Sequence, residues 1–182
     1  MRYSYLALLL CLPSCRPAPP IARVEPVDRL LGLMQRRLEV MHDVARWKWP
    51  DRSSIEDKVR EAHILDHLAR RGAALKLDPD LCRAFFGAQI ESAKRVQRAD
   101  FHRWETTEAP GPQSTSSDLV SVLRPRIDAL NSDLLAALAE VDQLPADVEI
   151  RKRADAILNG VDAETRAVLI RPLLTRPSPS SP

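Results

Sequence analysis

Apolar residues in the first third of the chain recur at helical spacing. Leu30, Met34, Leu38, Met41, Val44 and Ala45 share one side of a helical wheel, which predicts a helix over about residues 27–49, stopped by Pro50. The stretch SSIEDKVRE opens a second helix, with Ser54 as the cap and Asp57 near its third position, running to about Lys76. Ile64, Leu65, Leu68, Gly72 and Leu75 line one of its faces. LDPD starts a third helix, with Asp78 as N-cap and Pro79 in the first turn, continuing to about Glu105. Its stripe is Phe86, Ile90, Ala93, Phe101 and Trp104. TTEAPGPQSTSS reads as a loop. A fourth helix follows over about 118–142, then two shorter ones near 147–159 and 163–174, and the tail to residue 182 is disordered by composition. The expected architecture is all-α, a single-domain helical bundle of about six helices.

The apolar stripes carry polar interruptions. Arg37 falls inside the first stripe, and so does Lys48, eleven residues on. Eleven residues are three turns plus about 20°, so both cations share a face about 16 Å apart along the axis. Asp57 and Glu61 lie within the apolar face of the second helix, with Arg60 at its edge. Gln97 sits in the middle of the third stripe, with Gln89 adjacent. Burying an ion costs several kcal/mol unless it is paired. Two readings fit: interhelical salt bridges, such as Arg37 with Asp57, or an anion site inside the bundle.

Composition narrows the classes. The chain of 182 residues is long enough for one well-buried domain and short for two. Its net charge of +2 gives no single-sign field directed at nucleic acid. Of fifteen prolines, only Pro79 falls within residues 51–109, the proline-poor composition long helices require. The leader MRYSYLALLLCLPSCRPAPP has Arg2, a short apolar run and then small residues and prolines, so residues 1–20 are read as a secretory signal of bacterial type. The apolar run is too short to span a bilayer. Plain secretion, to the periplasm or beyond, is the favoured reading; LPSC, ending at Cys15, is also similar to a lipobox, in which the cysteine carries lipid, although Pro13 is unusual there. With Cys11 and Cys15 in the leader, Cys82 has no partner for a disulfide and reads as a small core residue.

RRLEVMHDVARWKW, IEDKVRE and FFGAQIESAKRVQRADFHRW together resemble the secreted, all-helical chorismate mutases (AroQ-type, gamma subclass). The resemblance covers about residues 25–142, leaving 143–174 as C-terminal helices of the same domain and 175–182 as the tail. It implies a Claisen rearrangement of chorismate to prephenate, with no metal, no organic cofactor and no covalent intermediate. By motif, Arg37 and Arg60 would bind substrate carboxylates, and Lys48 the ether oxygen and a carboxylate. Gln97 would donate to the same ether oxygen. Glu61 matches the position near the ring hydroxyl, with Asp57 as a second candidate. A further arginine would come from the fourth helix of the same chain, in LVSVLRPRIDALN. Arg124 is the match, but Pro125 departs from the expected pattern and keeps Arg126 as a substitute. Ala93 stands where relatives often carry a hydroxyl. Because Arg124 is intrachain, no shared site is needed, and a homodimer is one option. The tryptophans Trp47 and Trp49 are expected to close the helix end around Lys48 or to pack as ordinary core.

The other signals are weaker. His63 and His67 stand at i, i+4 without a third ligand, so solvated positions are the better reading. There is no glycine-rich phosphate loop and no nucleophile–base motif. Against the enzyme stands a non-catalytic exported helical module that binds an anionic ligand or partner; the complete set Arg37, Lys48, Arg60 and Gln97 favours the enzyme.

Overall fold

The computed structural model describes residues 25–107, 119–141 and 143–176. The leader with Cys11 and Cys15, most of the 106–117 loop and the tail from 177 lie outside them. Six α-helices follow in order: α1 (Pro26–Lys48), α2 (Lys58–Ala74), α3 (Pro79–Thr106), α4 (Arg124–Glu140), α5 (Asp147–Ile157) and α6 (Ala163–Leu174). No strand occurs among the described residues.

Local chemistry sets most ends. The Asp78 side chain accepts from the Asp80 N–H and Pro79 fills the first turn, so α3 starts where the sequence places it. The start of α2 differs. Its N-cap is Asp57, whose side chain accepts from the Arg60 N–H, while Glu61 reaches back to the Asp57 N–H. Ser54, three residues upstream of that cap, instead donates its hydroxyl to the Glu56 carbonyl. α2 ends at Ala74 in a Schellman arrangement, with Leu77 N–H on the Gly72 carbonyl, Lys76 N–H on the Ala73 carbonyl and Lys76 at φ 63°. That turn lifts Leu75 into solvent at 46% exposure, so it does not belong to the buried face.

The expected fourth helix is two pieces. Leu119–Leu123 forms a π-helical turn, and α4 begins only at Arg124. Pro125 has no N–H to donate and its ring crowds the carbonyl four residues back, which a widened turn relieves.

α3 runs through the centre, packed against α1, α2 and α6; α4 lies on α1 and touches α2, and α5 bridges α1 and α6. One contiguous apolar cluster results, including Leu30, Met34, Leu38, Phe85, Phe86, Leu134, Leu138, Ile150 and Leu169. α2 and α3 approach closely at Gly72: a Cβ there would meet the Sγ of the fully buried Cys82. Cys82 is a free core thiol, its pKa raised by burial.

Candidate active site

A cavity of about 300 Å³ opens between α1, α2, α3 and the start of α4. Arg37 and Lys48 reach it from α1, Asp57, Arg60 and Glu61 from the start of α2, Gln97 from α3 and Arg124 from α4. All seven residues singled out in the sequence therefore face one space. Met41, Val44, Trp47, Ile64, Ile90 and Ala93 form its apolar wall.

Arg37 is 4% exposed. Its Nε–H donates to Asn131 Oδ1 at 2.9 Å and an Nη1–H to the Gln89 carbonyl at 3.1 Å. Burial pulls its pKa down to about 10 against the opposing pull of Asp128. No ion pair joins Arg37 to Asp57 or to any other carboxylate among the described residues. The salt-bridge reading is thus set aside for this pair: Asp57 is occupied in capping α2, and Arg37 keeps its charge with only neutral hydrogen-bond partners.

Lys48 is half-buried, and its ammonium makes one long bond, 3.3 Å, to the Ile55 carbonyl. Desolvation lowers its pKa; Asp57 and Glu61 oppose that and Arg124 adds to it. The influence of Arg124 at Lys48 agrees with Arg124 lining the cavity. Arg126 does not line it: its side chain is 58% exposed and lies 3.8 Å from Asp43. Beyond its backbone N–H, which caps on Asp57, the Arg60 guanidinium has no hydrogen-bond or ion-pair partner among the described residues.

Gln97 is 4% exposed. One Nε2–H donates to the Ala93 carbonyl at 3.1 Å, and beyond that Nε2 has only the Met41 thioether at 3.9 Å. A thioether is a weak acceptor, so a ligand oxygen can take its place at little cost. Glu61 is held by Lys94 at 3.2 Å, a partner the sequence reading passed over. Asn131 and Asp128 were also passed over, although Arg124, Asp128 and Asn131 recur at i, i+4 and i+7 along α4.

The tryptophans divide. Trp47 lines the cavity, whereas Trp49 packs edge-on against Phe101 and Trp104 at about 5 Å, with the Arg52 guanidinium 3.6 Å above its ring. Only Trp47 is placed to shape the surroundings of Lys48. The segment between α1 and α2 is tied to α3 by Arg52–Glu105 and Glu56–Arg98 pairs, and its Ser53, Ser54 and Ile55 roof the cavity. His63 and His67 are exposed, and no metal-binding cluster occurs among the described residues.

Four cations, a buried amide and three carboxylates, Asp57, Glu61 and Asp128, share one apolar-walled cavity within the helical bundle. Residues 27–98 match the chorismate mutase type II family. A solved chorismate mutase from Burkholderia thailandensis is 32% identical, and the likeness covers 81% of this chain and 96% of that one, with a TM-score of 0.70. The secreted chorismate mutase of Mycobacterium tuberculosis is 30% identical over 123 residues, 66% of this chain and 61% of that protein. The secreted chorismate mutase of Yersinia pestis is 32% identical over 111 residues, 59% of this chain and 56% of that protein. The chain thus spans about three fifths of the length of these curated relatives. It belongs to the all-helical chorismate mutase type II family.

Proposed function

We propose that the protein is an exported chorismate mutase that rearranges chorismate to prephenate. The observation that carries this reading is Arg37: a buried cation with neutral partners, in a cavity shared with Lys48, Arg60 and Arg124. Such a site suits a dianion and would be costly without one.

The reaction is intramolecular. One C–O bond breaks as one C–C bond forms, and no proton or electron leaves the substrate. The protein's work is to hold the reactive conformer and to face the charge that grows on the ether oxygen. Arg37, Arg60 and Arg124 bind the carboxylates. Lys48 exchanges its long bond to Ile55 for the ether oxygen, and Gln97 turns its weakly held N–H to the same atom. Both already line the cavity before the substrate arrives, so little reorganisation is needed for them to act in the transition state. Glu61, oriented by Lys94, accepts from the ring hydroxyl, with Asp57 as the second candidate for that contact. Trp47 and the apolar wall keep the local dielectric low and strengthen the field of Lys48.

The two secreted relatives support export, and the leader fits either a periplasmic or secreted product or a lipid anchor at Cys15. No helix of the described residues is long and apolar enough to cross a membrane. The test is loss of chorismate on mixing with micromolar purified mature protein. Turnover is expected; binding without turnover would instead favour a non-catalytic anion-binding module.

A further inference from the structure

We infer that Asn131 is a positioning residue for the reaction: it orients the Arg37 guanidinium toward the cavity without neutralising it. The inference rests on the proposed chorismate mutase activity. Asn131 is 3% exposed, on α4, two turns beyond Arg124. It does not line the substrate cavity but stands behind Arg37, in the wall of an adjoining groove between α2 and α4. Its Oδ1 accepts the Arg37 Nε–H at 2.9 Å, and the Gln89 carbonyl takes one Nη1–H at 3.1 Å.

A guanidinium carries five N–H donors in one rigid plane. Two acceptors on two different helices, α4 and α3, fix that plane, and three donors stay free for a ligand. The chemical type of the acceptor matters as much as its place. A carboxylate at position 131 would orient Arg37 equally well but would cancel its charge, and Asp128 one turn earlier already supplies a partial counter-charge. An aliphatic side chain of the same size would leave the charge and release the plane. Of these three side-chain types, the amide gives orientation with the charge intact. α4 therefore serves the site twice, through Arg124 directly and through Asn131 behind Arg37.

Two nearly isosteric variants separate these effects. Asn131→Asp keeps the acceptor and adds a charge, and the neighbouring cation holds the new carboxylate ionised at neutral pH. It is expected to raise KM for chorismate tenfold or more while changing kcat less than threefold. Asn131→Leu removes the acceptor and is expected to lower both kcat and kcat/KM at least tenfold. A merely structural role predicts instead a lower melting temperature with unchanged KM and kcat in the folded fraction, and that result overturns the inference. The side-chain Nε–H of Arg37, followed by 1H–15N NMR on the full mature chain, gives a readout independent of turnover. Its signal should be slow to exchange in the wild type and in Asn131→Asp. In Asn131→Leu it should be lost or shifted, or, should that variant not fold, the Asn131→Asp kinetics and wild-type signal decide. A fast-exchanging Arg37 Nε–H in the wild type sinks the inference whatever the activity. If the wild type turns over no chorismate while this signal is protected, the proposed activity fails and the orienting contact stands.

Discussion

The neutral character of Gln97 makes a sharp prediction for Gln97→Glu. In the wild type Nε2 donates to the Ala93 carbonyl at 3.1 Å, and Oε1 is buried without a partner among the described residues. A carboxyl group in that place can mimic the amide only while protonated. Once ionised it sets two acceptor oxygens against the Ala93 carbonyl and against the growing negative charge on the substrate. Burial and the carbonyl raise its pKa above the ordinary glutamate value of about 4.3, with Lys48 opposing. Loss of one preorganised donor lowers kcat by about 10²–10³-fold. Above its pKa the protonated fraction falls tenfold per pH unit, so kcat should decline with unit slope over about two to three pH units before levelling. The wild type should show no such loss between about pH 5 and 8. Stability moves the same way: the folded variant binds the proton more tightly than the unfolded chain, so its stability falls as pH rises through the window between the two pKa values. The assay is chorismate loss at saturating substrate in a series of buffers from pH 4.5 to 8.5, with circular dichroism confirming the fold at each pH. A variant profile as flat as the wild type's would refute contact between Gln97 and the breaking bond.

Lys48→Ala should lower kcat by roughly a hundredfold or more, as for loss of one preorganised donor; turnover above half the wild-type value would remove Lys48 from the ether oxygen. Because burial lowers the Lys48 pKa, wild-type kcat/KM should fall on the alkaline side before an ordinary lysine would titrate, and Lys48→Ala should abolish that limb. Arg124→Ala should cost about 2–3 kcal/mol in kcat/KM, mainly through KM, as for a charged hydrogen bond. Arg126→Ala, at an exposed position outside the cavity, should change little; the reverse order would show that Arg126 supplies the contact. Gly72→Ala should be destabilising by about 1–2 kcal/mol, since overpacking against Cys82 outweighs the gain in helix propensity. Thermal unfolding checks this, and a raised melting temperature would contradict the close approach of α2 and α3.

Features with local causes were readable in the sequence, and features decided by distant partners were not. The start of α3 follows from Asp78 and Pro79 alone, and it stands where expected. At α2 both Ser54 and Asp57 can cap. The tertiary setting decides: Ile55 receives Lys48, Glu56 pairs with Arg98, and the stretch is held open as the roof of the cavity. Pro125 stood out as a departure from the expected pattern, but the periodicity alone gave one continuous fourth helix and no sign of the π-helical turn over Leu119–Leu123. The inward cations were visible because Arg37 and Lys48 break an apolar stripe. The partners of Arg37 were not visible. Asn131 lies 94 positions away and Gln89 contributes only its backbone carbonyl, so no spacing in the sequence connects them.

The central claim is that these residues accelerate an intramolecular rearrangement by holding and facing a dianion, with no proton exchange along the way. The most direct measurement is 1H NMR of purified mature protein with chorismate in deuterated buffer containing a metal chelator. The account predicts that chorismate signals are replaced one for one by those of prephenate, far faster than without protein and with no deuterium on carbon apart from later exchange at the enolisable side-chain methylene. Chorismate signals that decay no faster than in the protein-free control, or solvent deuterium at a non-enolisable carbon of the product, would contradict it.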